Sequence, residues 1–122
     1  MNLILKLKTE FAKNKSLSAM RKNLVRCVND CREFGKTRPE SYERGVYKGM
    51  EEAWQNCVDM IDRKEPEMKK LVQDRISAVE GMQITASDPF IKGQMEGLYG
   101  AYCCVFEELD LIEPSVEIVG RA

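Results

Sequence analysis

The sequence predicts an all-α chain: a four-helix bundle built from two tandem helical hairpins, with a short extra N-terminal helix and an extended C-terminal tail. Three observations carry this. Apolar residues recur at helical spacing through four long segments. Proline, glycine and short polar residues punctuate the gaps between them. The chain also repeats itself at an offset of 48 residues. One copy of the repeat centre reads Tyr42-x-x-Gly45-x-x-x-Gly49-x-x-x-Ala53-Trp54, and the other Phe90-x-x-Gly93-x-x-x-Gly97-x-x-x-Ala101-Tyr102. The shift also pairs Met20 with Met68, Lys22 with Lys70, Thr37 with Thr85, and Asp62-x-x-Glu65-Pro66 with Asp110-x-x-Glu113-Pro114. That makes nine identical pairs, where average composition would give roughly three. One domain, 1–122, therefore divides into repeats of about 16–64 and about 65–112.

The first helix spans about 16–34. Leu17, Met20, Leu24, Cys27, Val28, Cys31 and Phe34 fill one arc of it, and Gly35 reads as its stop. The second begins near Thr37–Pro39, where Thr37-x-x-Glu40 has capping-box spacing, and ends before Pro66. The third runs from about Pro66 to Met82 on Met68, Leu71, Val72, Ile76, Val79 and Met82. Gly81 to Asp88 is a turn, and Asp88-Pro89 supplies an N-cap and first-turn pair for the fourth helix, about 89–112. That helix is apolar nearly all the way round. Such a helix must be covered on most faces, which predicts a homodimer with Tyr99, Tyr102 and Phe106 at the interface. Leu3, Ile4, Leu7 and Phe11 fit a short helix within 1–14, and the residues from Pro114 onward an extended tail.

Glycine in a helix interior costs about 1 kcal/mol relative to alanine, so the ladders need a reason. Gly45, Gly49, Ala53, Gly93, Gly97 and Ala101 either let the second and fourth helices pack closely or keep a groove open for a partner helix or ligand.

Composition removes several classes of function. There is no histidine, so histidine-based triads and the Glu-x-x-His di-iron signature are absent. Cys27 and Cys31 lie four apart on an apolar face and read as small core residues. Glu108 and Arg75 both interrupt apolar arcs, which suggests a structural pair. No phosphate-binding loop or dinucleotide fingerprint occurs. The expectation is a chain that is not an enzyme and uses no metal or cofactor. No run approaches 18 apolar residues, which argues against membrane insertion. Five cysteines, an odd number, with no secretion signal point to a reducing, cytoplasmic setting.

Charge is divided. Residues 1–48 carry 12 Lys/Arg against 5 Asp/Glu, and residues 49–122 carry 7 against 15. Lys15, Arg21, Lys22, Arg26, Arg32 and Lys36 form a basic arc on the first helix. Such an arc is a solvated face, a surface for a protein partner, or a track for phosphates. It contains no aromatic to stack bases, and Glu33 sits inside it. The leading expectation is a non-enzymatic protein-interaction module, an inhibitor or adaptor. The alternative is direct DNA or RNA binding through the basic face. A short chain rich in cysteine and methionine and lacking catalytic residues is similar in kind to accessory proteins of phages and mobile elements. That group includes small inhibitors of host nucleic-acid-handling proteins, such as anti-CRISPR proteins.

Overall fold

The computed structural model describes residues 16–83 and 87–112. These form four helices, α1 (Leu17–Lys36), α2 (Ser41–Asp62), α3 (Met68–Gln83) and α4 (Pro89–Ile112), with no strand among the described residues. The expected N-terminal helix and C-terminal tail lie outside them.

Each boundary has a local cause. Ser16 caps α1, its hydroxyl oxygen accepting the Ala19 amide at 3.1 Å. The helix then runs through Gly35 rather than stopping there, and ends at Lys36. The reason lies across the hairpin. A side chain at position 35 would bring its Cβ to 3.2 Å from the Tyr47 Cβ, so Gly35 serves the approach of α1 to α2. The expected Thr37 capping box does not form. Thr37 Oγ1 instead donates to the Phe34 carbonyl and closes α1. The cap position of α2 falls to Glu40, whose side chain makes no capping bond. Asp88 does cap α4, its Oδ1 accepting the amides of Phe90 and Ile91 at 2.9 and 3.1 Å. α2 ends in a two-bond C-terminal motif. The Glu65 amide reaches the Met60 carbonyl, the Lys64 amide reaches that of Ile61, and Lys64 takes φ 55°.

Cross-helix contacts set the directions. Arg21 meets Asp62 and Arg32 meets Glu51, so α1 and α2 are antiparallel. Lys69 meets Asp110 near one end of the α3–α4 pair, while Glu80 lies beside Tyr99 near the other, so this pair is antiparallel too. The two pairs join through α2 and α4, which share the most extensive packing in the molecule. These central helices run in the same direction, because rising positions on one meet rising positions on the other. Gly45 faces Phe90 and Gln94, and Gly49 faces Gln94 and Leu98. α1 flanks α2 and α3 flanks α4, giving the spatial order α1, α2, α4, α3.

The core is one cluster fed by all four helices: Met20, Leu24, Cys27, Val28 and Cys31 from α1, Trp54 and Met60 from α2, Val72 and Ile76 from α3, and Val105 and Leu109 from α4. Phe34, assigned to the same apolar arc, departs from it and is 50% exposed at the end of α1. No helix among the described residues is long and apolar enough to cross a membrane.

Candidate functional site

The glycine ladders meet each other. A Cβ built on Gly45 would overlap the Phe90 carbonyl oxygen and lie 2.9 Å from the Gln94 nitrogen. One on Gly49 would overlap the Gln94 carbonyl oxygen and lie 2.8 Å from the Leu98 nitrogen. From the other side, Gly93 sits under the Tyr42 carbonyl and Gly97 under that of Val46. Each contact has its counterpart 48 positions along, since 42 and 45 correspond to 90 and 93, and 46 and 49 to 94 and 97. Ala53 and Ala101 continue the two rows and are 0% and 2% exposed. Facing backbone fills the space beside all four glycines, so this crossing holds no open groove. Polar contacts border it: Tyr42 donates to Glu96, Gln94 Nε2 donates to the Glu52 carboxylate at 3.0 Å, and Asn56 Nδ2 donates to the Tyr102 hydroxyl at 2.8 Å.

The basic arc of α1 divides into two groups. Lys15 lies outside the described residues. Arg21 and Arg32 lean onto carboxylates of α2. Arg21 grips Asp62 with two hydrogen bonds, of 2.6 and 3.1 Å, and Arg32 Nε lies 3.5 Å from Glu51. The bidentate grip raises the Arg21 pKa and lowers that of Asp62. Lys22, Arg26 and Lys36 are exposed, with Arg26 donating to Asn23 and Lys36 to Glu33.

Of the residues placed at a dimer interface, Tyr102 is 5% exposed within the chain, and burial raises its pKa. Tyr99 and Phe106 are half-buried, and the Lys69 ammonium stands 5.5 Å from the centre of the Phe106 ring. α2 and α3 cover two sides of the largely apolar α4. The large apolar residues it leaves exposed are Ile91 near one end and Leu111 near the other, 46% and 41% exposed.

Glu108 is 0% exposed, and Arg75, although exposed, brings its positive charge to bear on the buried Cys57 and Tyr102. Burial pushes the thiols of Cys31 and Cys57 up to about 12, with Cys27 adding to the first and Cys104 to the second. No cluster of three His, Cys, Asp or Glu side chains able to hold a metal is found among the described residues.

Two concave surfaces lie between α1 and α2, and Cys31 lines both. The larger, about 650 Å³, is lined by Phe34, Arg38, Tyr42, Val46, Tyr47 and Met50, with Asp30 and Glu43 as its acidic members. Its aromatic groups hold each other in place. Phe34 and Tyr47 pack as a tilted pair with centroids 6.2 Å apart. Arg38 lies 5.5 Å from the Tyr47 ring centre and donates to the Phe34 carbonyl. Phe34 and Tyr42 remain 50% and 39% exposed. The smaller, about 380 Å³, is lined by Arg32 and Lys36 of α1, Arg44, Lys48 and Glu51 of α2, and Phe90 of α4. Arg44 and Lys48 lie four apart on one face of α2, outside the basic arc of α1. Only the close approach of α2 and α4 brings Phe90 beside the cations.

No family model, curated protein or solved structure matches this chain.

Proposed function

We propose that the chain is a non-enzymatic, homodimeric helical protein-interaction module, acting as a small inhibitor or adaptor on a host nucleic-acid-handling protein, of the kind phages and mobile elements carry. The observation that supports this reading is the larger groove between α1 and α2. Interface centres are enriched in aromatic residues, methionine and arginine, and this groove gathers Phe34, Tyr42, Tyr47, Met50 and Arg38. Phe34 and Tyr42 are surface-exposed there, an arrangement that costs the monomer and gains from a partner. Self-association would draw on Ile91 and Leu111 of α4. In the same reading the two hairpins descend from one duplicated unit, supported by the 48-residue pairing of the glycine contacts.

The test is affinity capture from cells with the wild-type chain and a Phe34→Ser/Tyr42→Ser variant side by side. A nucleic-acid-handling protein held by the first, lost by the second and rebound by purified wild type supports the reading. Equal capture by both, with the variant's helical circular dichroism intact, overturns it. Sedimentation equilibrium tests the dimer, a monomer being 14.0 kDa. A Leu111→Glu variant that stays as associated as wild type removes the assigned surface.

A further inference from the structure

We propose that the smaller concavity is a binding site for single-stranded nucleic acid, with a base laid on the Phe90 ring and its flanking phosphates taken by Lys36, Lys48, Arg32 and Arg44. This differs from a basic face on α1 alone, since three helices contribute to the site, and it is independent of the aromatic groove on the other side of Cys31.

The charge of the lining favours an anion. Four cationic side chains line it with one carboxylate, Glu51, while Glu33 pairs with Lys36 from outside the lining. Glu51 also orders the site, holding Arg32 at 3.5 Å and Lys48 at 3.9 Å. Arg44 is fixed from behind. Its guanidinium donates to the carbonyls of Arg38 at 3.0 Å and Pro39 at 2.8 Å and to the Ser41 hydroxyl at 3.1 Å. A cation held in place by the loop loses little side-chain freedom when a phosphate arrives. Lys36 and Lys48 are exposed point charges at the surface of the same concavity.

Phe90 decides among polyanions. The carboxylates of an acidic peptide need cations and gain little from a ring face, which repels negative charge. Single strands combine phosphates with exposed base faces, and base–aromatic stacking beside a positive groove is their common mode of recognition. A duplex hides those faces in its stack and presents phosphates along two ridges, whereas these cations converge on a hollow of about 380 Å³.

The experiment is fluorescence anisotropy with a labelled 20-nucleotide single strand, using unlabelled duplex and polyglutamate as competitors. Four phosphate contacts predict an affinity that falls roughly 50-fold between 50 and 200 mM salt. Lys36→Gln/Lys48→Gln should weaken binding at least tenfold and flatten that salt dependence, while Lys22→Gln, on the outer face of α1, leaves it within about twofold. Phe90→Leu should cost roughly tenfold with little change in salt dependence, because it removes stacking and no charge. Three results overturn the proposal: no binding at 50 mM salt, equal weakening by Lys22→Gln and the double variant, or polyglutamate competing as well as the strand with Phe90→Leu unaffected. The third result would assign the concavity to an acidic protein. Circular dichroism of each variant separates loss of binding from loss of fold.

Discussion

The Phe90 carbonyl oxygen stands so close to Gly45 that the first side-chain atom of any other residue there would overlap it. Gly45 is thus a place where one helix backbone rests on another. Gly45→Ala would gain about 1 kcal/mol of helix propensity but drive a methyl group into peptide backbone, which cannot turn aside as a side chain can. The expected net loss is about 2–3 kcal/mol. Gly100 is the control. It lies in α4 with nothing within 4 Å of an added Cβ, so Gly100→Ala should stabilise by up to about 1 kcal/mol. Urea denaturation of the two variants should move the midpoint in opposite directions. A midpoint unchanged in Gly45→Ala would refute the close approach of α2 and α4.

Lys64 offers a stabilising change. It holds φ 55° at the end of α2, in the left-handed region that L-residues enter at a cost of about 1–2 kcal/mol. Glycine avoids that cost but gives up more chain entropy on folding. Lys64→Gly should raise stability by about 0.5–1 kcal/mol, seen as a higher midpoint with an unchanged denaturant slope. A drop in stability would mean that the Lys64 side chain contributes more than its backbone strain costs.

Trp54 is 1% exposed, and its indole N–H meets no hydrogen-bond acceptor among the described residues. A buried donor left without an acceptor costs about 1–3 kcal/mol. Trp54→Phe removes that donor along with some volume, and the two effects oppose each other. The variant should lie within about 1 kcal/mol of wild type, while Trp54→Ala loses about 3–5 kcal/mol. If phenylalanine proves as damaging as alanine, the N–H has an acceptor, such as an ordered water. As the sole tryptophan, it should also emit at short wavelength in the native state.

The thiols supply a pH signature. In the unfolded chain Cys31 and Cys57 titrate near 9.0, and in the folded chain burial holds their protons to about 12. The folded state therefore binds more protons in between. The stability due to these thiols is complete below about pH 9 and is lost as pH rises toward 12, at up to about 1.4 kcal/mol per pH unit for each thiol. Urea midpoints at pH 8 and 10 should differ more in wild type than in Cys57→Ala. Identical differences would show that Cys57 is not protected. A thiol reagent at pH 8 should find one accessible cysteine, the half-exposed Cys103, with Cys27, Cys31, Cys57 and Cys104 reacting only on unfolding.

Much of the architecture was legible along the chain. The spacing of Met20, Leu24, Cys27, Val28 and Cys31 on α1, and of Met68, Val72, Ile76 and Val79 on α3, marks their buried faces, because helical periodicity turns burial into a one-dimensional pattern. Asp88-Pro89 located the start of α4 to the residue, since a cap is a local interaction. Gly35 misled for the opposite reason: its role depends on Tyr47 across the turn, a neighbour that propensity does not contain. Thr37 misled because two local bonds compete for its hydroxyl, and it closes α1 on the Phe34 carbonyl instead of opening α2.

The sequence by itself determined the all-helical class, the number of long helices and which small residues a close contact would require. Tertiary structure alone decided what those glycines touch and which charges share a surface. Two helices in parallel register bring Phe90 to Gly45, and with it an aromatic ring to Arg32, Lys36, Arg44 and Lys48. Helical period fixes the angle of a residue on its own helix but carries no information about the helix that will face it. That choice came from the backbone-to-backbone fit of four glycines, a property of two surfaces together.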